Sequence, residues 1–358
     1  MSFEVVYTSS PRGLRDGDRG FCTVAATPGI PRKLQETLES LSGYRHAFAA
    51  SSSDNPVNYA YAILQIQREP HYVLSRIADA GNDYSGRGNK MAHHLALSAE
   101  ELRRIEVAPH ALLADPRFWF KQWNREPQAL PAGRMPQPHK CGAAACGTWQ
   151  AVFGDAGWAG MLAGAVQQDP QPVFVILPSG RGSLALVAEA LSLVSRRDHW
   201  KICFSTYYTR AVAGTKCHWR FLLDGTAEAD AARAKPAGIL VDPAGGRQRP
   251  PDDDPYVQAA RGEDVDLNRA AEPVVPDRMS RGPMTKSQMR RRQAGARARR
   301  ARLAASRRPV ARREVRESEF DTPVAPTRRA RGTWFWVGVG GGTLVVAVGV
   351  YLLAQLLM

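Results

Sequence analysis

Cys22 stands in GFCTVA, and the adjacent pair His93 and His94 stands in GRGNKMAHHL (Gly86 to Leu95). A thiol beside an imidazole is the pairing of a nucleophile with its general base, and Asp83 or Asn89 could orient the ring. On a strand the two histidines face opposite sides, so one at most joins a given site. The plainer reading is a buried thiol and hydrogen-bonded histidines. His139, Cys141, Cys146, Cys217 and His218 are metal-ligating residue types. The Cys141-x4-Cys146 spacing is loose for zinc and no clean second pair follows, so no metal and no cofactor is expected.

PSGRGS (Pro178 to Ser183) follows an apolar run and opens a helical pattern. Backbone amides at such a helix start can hold a phosphate, which makes Ser179, Gly180, Gly182 and Ser183 phosphate-loop candidates. The Walker spacing and the dinucleotide fingerprint are both missing, and a tight turn with Ser183 as helix cap is the competing reading. Arg12, Arg19, Arg45 and Arg87 lie in glycine-rich loops. They are candidates for contact with an acidic or phosphorylated protein partner, or are simply solvated.

These residues need elements to position them. Phe3 to Thr8 and Phe21 to Ala25 read as strands, and SPRGLRDGDRGF (Ser10 to Phe21) is a loop of glycine and charge. Pro31 sits at a helix start, with Leu34, Leu38 and Leu41 at helical spacing and Gly43 as the stop. Tyr59 to Ile66 and Tyr72 to Ala78 suggest a hairpin. Met91 to Leu97 is a further strand or helix end, and Ala99 to Arg104 resumes as helix. Phe118, Trp119, Phe120 and Trp123 are expected in the core. Pro172 to Tyr208 shows a β-α-β pattern: VFVIL (Val173 to Leu177), a helix over Leu184 to Ser195, and WKICFST (Trp200 to Thr206). A parallel pair joined by a right-handed crossover is expected there.

YTSSPRGL…GFCTVAATPGIPRKLQETLESLSGYR (Tyr7 to Arg45), DYSGRGNKMAHHLAL (Asp83 to Leu97) and HWKICFSTYYT (His199 to Thr209) resemble the GTPase-associated adaptor family. The narrower resemblance is to the second type of N-terminal domain of GTPase-associated protein one, over roughly residues 2–223. It implies a bacterial adaptor that links a small GTPase to other components of signalling or conflict systems. No catalytic residues come with it. Longer members carry further adaptor domains, where this chain has a linker and an apolar segment.

The 358 residues carry a net charge of +14. From Arg278 to Arg331 there are 18 Lys+Arg and 4 Asp+Glu, which accounts for that whole excess; 30 residues of each sign remain elsewhere. The basicity therefore belongs to one stretch, and binding of nucleic acid by the rest is not expected. No aromatic residue interleaves the arginines of Lys286 to Arg308, so stacking on bases is unsupported. All five cysteines lie before residue 228. An odd count in a cytoplasmic head implies free thiols.

Thr333 to Met358 holds no charged residue. About 20 apolar residues cross a hydrocarbon core, so the segment reads as a transmembrane helix. Trp334 and Trp336 would mark the headgroup level, with Arg328, Arg329 and Arg331 on the cytoplasmic side facing anionic lipid. Gly338 and Gly342 form a small-xxx-small pair that could bring two helices together as a homodimer.

The expected architecture is an α+β head: an antiparallel, β-rich first half (1–106) and a Rossmann-like β-α-β second half (107–227). A disordered Pro/Arg-rich linker (228–332) and a single C-terminal transmembrane helix (333–357) follow. The expected function is a cytoplasmic adaptor tethered to the inner membrane, without enzymatic activity, that recruits a protein partner such as a small GTPase. A Cys/His-dependent hydrolase and a nucleotide-sensing module are the alternatives.

Overall fold

The run FEVVYTSS is rich in β-branched and aromatic residues and forms β1 (Phe3–Ser10). It opens a computed structural model that describes residues 1–267, apart from 143, 169, 170, 181, 213, 243, 244 and 246–248. β2 (Gly20–Ala26) pairs antiparallel with β1. β3 (Asn58–Ile66) and β4 (Glu69–Asn82) form the expected hairpin. Gln67 and Arg68 make its turn with φ of 52° and 73°. Positive φ at both positions suits the twist of a two-residue hairpin, although glycine is the usual residue there. β5 (Gly88–Ser98) lies between β4 and β1.

Successive side chains leave a strand on opposite faces. Val5 therefore packs with Val73, Ala96, Leu34 and Leu38, while Val6 packs on the other side with Cys22, Val24 and Met91. Leu34 and Leu38 come from α1 (Arg32–Leu41), where leucines at helical spacing meet the sheet. Both are fully buried, and each burial stabilises the fold by about 1.5–3 kcal/mol. Ser98 accepts from the Glu101 amide and Glu101 reaches back to the Ser98 amide, a capping box that starts α2 (Ala99–Leu102).

The second half contributes α3 (Pro109–Leu113), the short β6 (Gln128–Ala129), α4 (Gly147–Phe153), α5 (Gly157–Gln168), β7 (Val173–Leu177) and α6 (Ser183–Ser192). β8 (Phe204–Ser205) and β9 (Trp219–Leu223) follow. Val173 and Val175 belong to a cluster with Trp149 of α4, Leu162 of α5, Leu186 and Val187 of α6, and Phe221 of β9. Phe174 and Ile176 face the opposite side with α7 (Ala227–Ala234). Burial on both faces is why VFVIL is continuously apolar.

The expected fold class is corrected by this arrangement. Among the described residues ten strands form one mixed sheet, in the order β10-β7-β9-β8-β3-β4-β5-β1-β2-β6. Here β10 is Ile239–Val241. β8 is the seam: antiparallel to β3 and parallel to β9. Of the strand expected over Trp200 to Thr206, only Phe204–Ser205 forms β8; Trp200 and Lys201 end a 3-10 turn (Arg196–Lys201), and β8 does not adjoin β7 because β9 inserts between them. Sequence neighbours in a β-α-β pattern need not be sheet neighbours when a later strand takes the slot.

The disordered linker is corrected from its start. α7 begins at the Thr226 cap, and Arg233 holds Asp242 at 2.7 Å and Asp224 at 2.8 Å. α8 (Pro255–Ala260) is capped by Asp254, which accepts from the Tyr256 and Val257 amides. Tyr256 and Val257 are buried against α5, where Gly160 admits the α8 backbone; a Cβ there would collide with Tyr256. Proline and aspartate lowered the apparent order of this stretch, yet Asp-Pro is also a helix-start signature.

The membrane anchor and the inner-membrane location are likewise corrected. Among the described residues no helix is long and apolar enough to cross a membrane. The segment 333–357, with Trp334, Trp336, Gly338 and Gly342, lies outside the described residues, as do Arg328, Arg329 and Arg331.

Candidate partner-binding surface

β1 ends at Ser10 where β2 begins, and β4 ends at Asn82 where β5 begins. The loops 11–19 and 83–87 therefore leave the sheet at one end. Ser9 ties them together by donating its hydroxyl to Asp83 at 2.8 Å. The loop after α1 joins the same end. His46 Nε2 lies 3.0 Å from the Asn89 carbonyl, and the Ser51 amide donates to Asp79 at 2.7 Å.

Two carboxylates pin these loops. Asp83 accepts from the Ser85 hydroxyl and amide, the Ser9 hydroxyl and the Arg87 amide. Those bonds, led by the Ser85 hydroxyl, hold its pKa well below the usual carboxylate range. Burial would raise the Asp79 carboxyl, but donors from Gly81, Asn55 and Ser51 outweigh it and lower its pKa.

On this scaffold stand apolar side chains in water. Phe21 is 45 % exposed and Tyr84 56 %, with Leu14 and Phe48 also exposed. Phe21 stacks on Tyr7 at 6.3 Å, and the Lys90 ammonium lies 4.8 Å above its ring. Rings held in register by a cation are pre-ordered for contact.

All four arginine candidates belong to loops at this end, in different states. Arg12 pairs loosely with Glu126 at 3.6 Å, both exposed. Arg87 caps Asp83 at 3.3 Å. Arg45 holds Glu228 at 2.6 Å. Arg19 makes no ion pair among the described residues. The aromatic members, Phe21 and Tyr84, were missed in the sequence. Phe21 reads as an ordinary strand residue, and only its position beside a glycine-and-charge loop hinted otherwise.

The Cys/His pairing expected from sequence is not assembled. His93 Nε2 lies 2.9 Å from Glu4, its Nδ1 accepts from the Phe120 amide at 3.2 Å, and its ring stacks on Phe118. His94 is bonded to Ser75 at 2.7 Å and Ser42 at 2.9 Å. Every ring nitrogen is thus taken by a residue other than Cys22. Burial lowers the pKa of both histidines, that of His94 to about 3. Burial, with the Asp18 and Glu39 charges, raises the Cys22 thiol, which is the opposite of activation. Asp83 and Asn89 serve loops and strands rather than either imidazole.

Nor do the metal-type residues converge. His139 faces Asp115 at 3.8 Å, His218 accepts from the Cys203 amide, and Cys146 and Cys217 point at carbonyls. Among the described residues no group of three or more such side chains could hold a metal. In the 178–183 turn, Gly180 has φ 73° and Gly182 is the cap of α6 without a side-chain bond. Ser183 donates to the Thr206 carbonyl at 3.1 Å instead of capping the helix.

Residues 1–136 match the family model described as GTPase-associated protein 1, N-terminal domain type 2, and residues 146–245 match GTPase-associated protein 1, middle domain. No curated protein and no solved structure matches the chain.

Proposed function

Because the chain belongs to the GTPase-associated protein 1 family, we propose that it is a non-enzymatic adaptor whose strand-end surface recruits a GTPase. The observation that supports this reading is the exposed Phe21, stacked on Tyr7 beneath Lys90. Rigid aromatic anchors ringed by arginine are what protein interfaces concentrate. Phe21 supplies the apolar centre, while Arg12, Arg19 and Arg87 supply a rim that meets carboxylates on the partner. The rim steers association, since solvated charges act more on rate than on final affinity.

The test is capture from extract of the native cell with the tagged full chain, run with GDP and with a non-hydrolysable GTP analogue. Wild type retains a GTPase, and Phe21→Ala loses it at unchanged Tm. Absence of any GTPase, or equal retention by Phe21→Ala and Arg19→Glu, overturns the proposal.

A further inference from the structure

Register places Ser205, Ala60 and Ser75 directly opposite one another across β8, β3 and β4. Directly opposed residues share a face, and His94 of β5 continues the same row. On the other face β3 carries Tyr59, Tyr61 and Ile63, which pack into the main core. On this face Ala60 and Ala62 are too small to fill the space above them. A cavity of about 80 Å³ results at the carboxyl end of β8, roofed by residues that follow that strand. Arg210 and Lys216 line it, and none of its lining residues is acidic.

The proton positions at its floor follow from the hydrogen bonds. Ser42 donates its one hydroxyl proton to the Leu38 carbonyl, so its contact with His94 Nε2 is an N–H donation from the ring. His94 is neutral, because burial and then the nearby His93 and Lys90 charges press its pKa down to about 3. Its Nδ1 therefore carries no proton and accepts from Ser75. Ser205 likewise spends its proton on Asn58 Oδ1 at 3.0 Å. Both floor hydroxyls offer only lone pairs. The donors are at the rim. Arg210 gives one bond to the Ser40 carbonyl at 3.2 Å and has no carboxylate partner, and Lys216 makes no ion pair among the described residues.

We propose that this cavity binds inorganic phosphate in a form that keeps a P–OH group. Its anionic oxygens face Arg210 and Lys216, and its hydroxyl donates to Ser75 or Ser205. By the same measure one water needs about 10–15 Å³, so the cavity has room for a small oxyanion. Sulfate has the same shape but no proton at neutral pH, so its oxygens meet the floor lone pairs without a donor. The floor thus selects against it, as buried unpaired acceptors do. The proposal does not rest on the partner-binding reading.

Titration calorimetry of the full chain with sodium phosphate and sodium sulfate at matched ionic strength tests this. Phosphate binds at least about tenfold more tightly than sulfate, and Arg210→Gln or Lys216→Gln each weakens phosphate by about tenfold or more. Gly43→Ala is the variant that spares the fold. A Cβ there would lie 2.8 Å from Arg210 Nε and Nη2, so the mobile guanidinium is displaced, phosphate binding falls, and Tm holds. Arg104→Gln, in the exposed turn after α2, leaves binding unchanged. Equal affinity for sulfate, no measurable phosphate binding by wild type, or full binding by Arg210→Gln, Lys216→Gln and Gly43→Ala overturns the proposal.

Discussion

The parallel half of the sheet and the loop end of its antiparallel half hold their aromatic residues in opposite ways. In the parallel half, Trp149 and Trp219 are fully buried, and each indole N–H is spent on a helix carbonyl, Leu186 and Leu162 respectively. In the antiparallel half, at its loop end, Phe21 and Tyr84 stand in water over loops pinned by Asp79 and Asp83. Parallel strands come with crossover helices that cover both faces, so their aromatics have a core to enter. Hairpin ends have no such cover, and a side chain there is available for contact with other molecules. The lesson is that burial separates the two roles more cleanly than residue type does.

That contrast can be broken by mutation. Trp219→Ala, in the parallel half, should cost about 3–5 kcal/mol in denaturant unfolding, as large-to-small changes in a packed core do. Gly160→Ala should cost about 1–3 kcal/mol, because the new Cβ pushes the α8 backbone off α5. Limited proteolysis should then cut within residues 249–262 before the rest of the fold. His94 gives a pH signature of the antiparallel half. Its folded pKa is depressed below the unfolded value, so the stability it contributes is complete above pH of about 6.5 and drains away as pH falls toward 3. The slope reaches about 1.4 kcal/mol per pH unit, and His94→Gln should remove that part of the pH dependence. Phe21→Ala should change stability least, by about 0.5 kcal/mol or less, while abolishing capture of the partner. A large Tm loss on Phe21→Ala would show that the two halves use aromatics alike.

Much of the first half was legible from local pattern. Leu34, Leu38 and Leu41 announced α1, and the short apolar run YAYAILQI announced β3, because helical spacing and apolar runs between turn residues are local signals. The second half was less so. VFVIL was a clear strand, but its neighbours are Trp219–Leu223 and Ile239–Val241, which come later in the chain. Nothing local states which distant strand will fill a slot. Residues 228–260 read as linker because the stretch is rich in proline, glycine, aspartate and alanine and lacks periodic apolar residues. Its order comes from contacts, above all Arg233 between two aspartates and Tyr256 over Gly160. Of the candidate site, the arginine loops could be read, since glycine and charge mark surface turns. The cavity could not, although Ala60 and Ala62 alternate with Tyr59 and Tyr61.

By itself, then, the sequence determined which segments become strands and helices in the antiparallel half, where the charge excess lies, and, through the motifs of residues 7–45, 83–97 and 199–209, the family. These depend on composition, short periods and residue identity. Only the tertiary structure decided that both imidazoles bond to residues other than Cys22, that β9 parts β7 from β8, that Phe21 faces water, and that two serines and two alanines hollow the sheet beneath Arg210. Each of these is a matter of which face meets which neighbour, and long-range packing alone sets that.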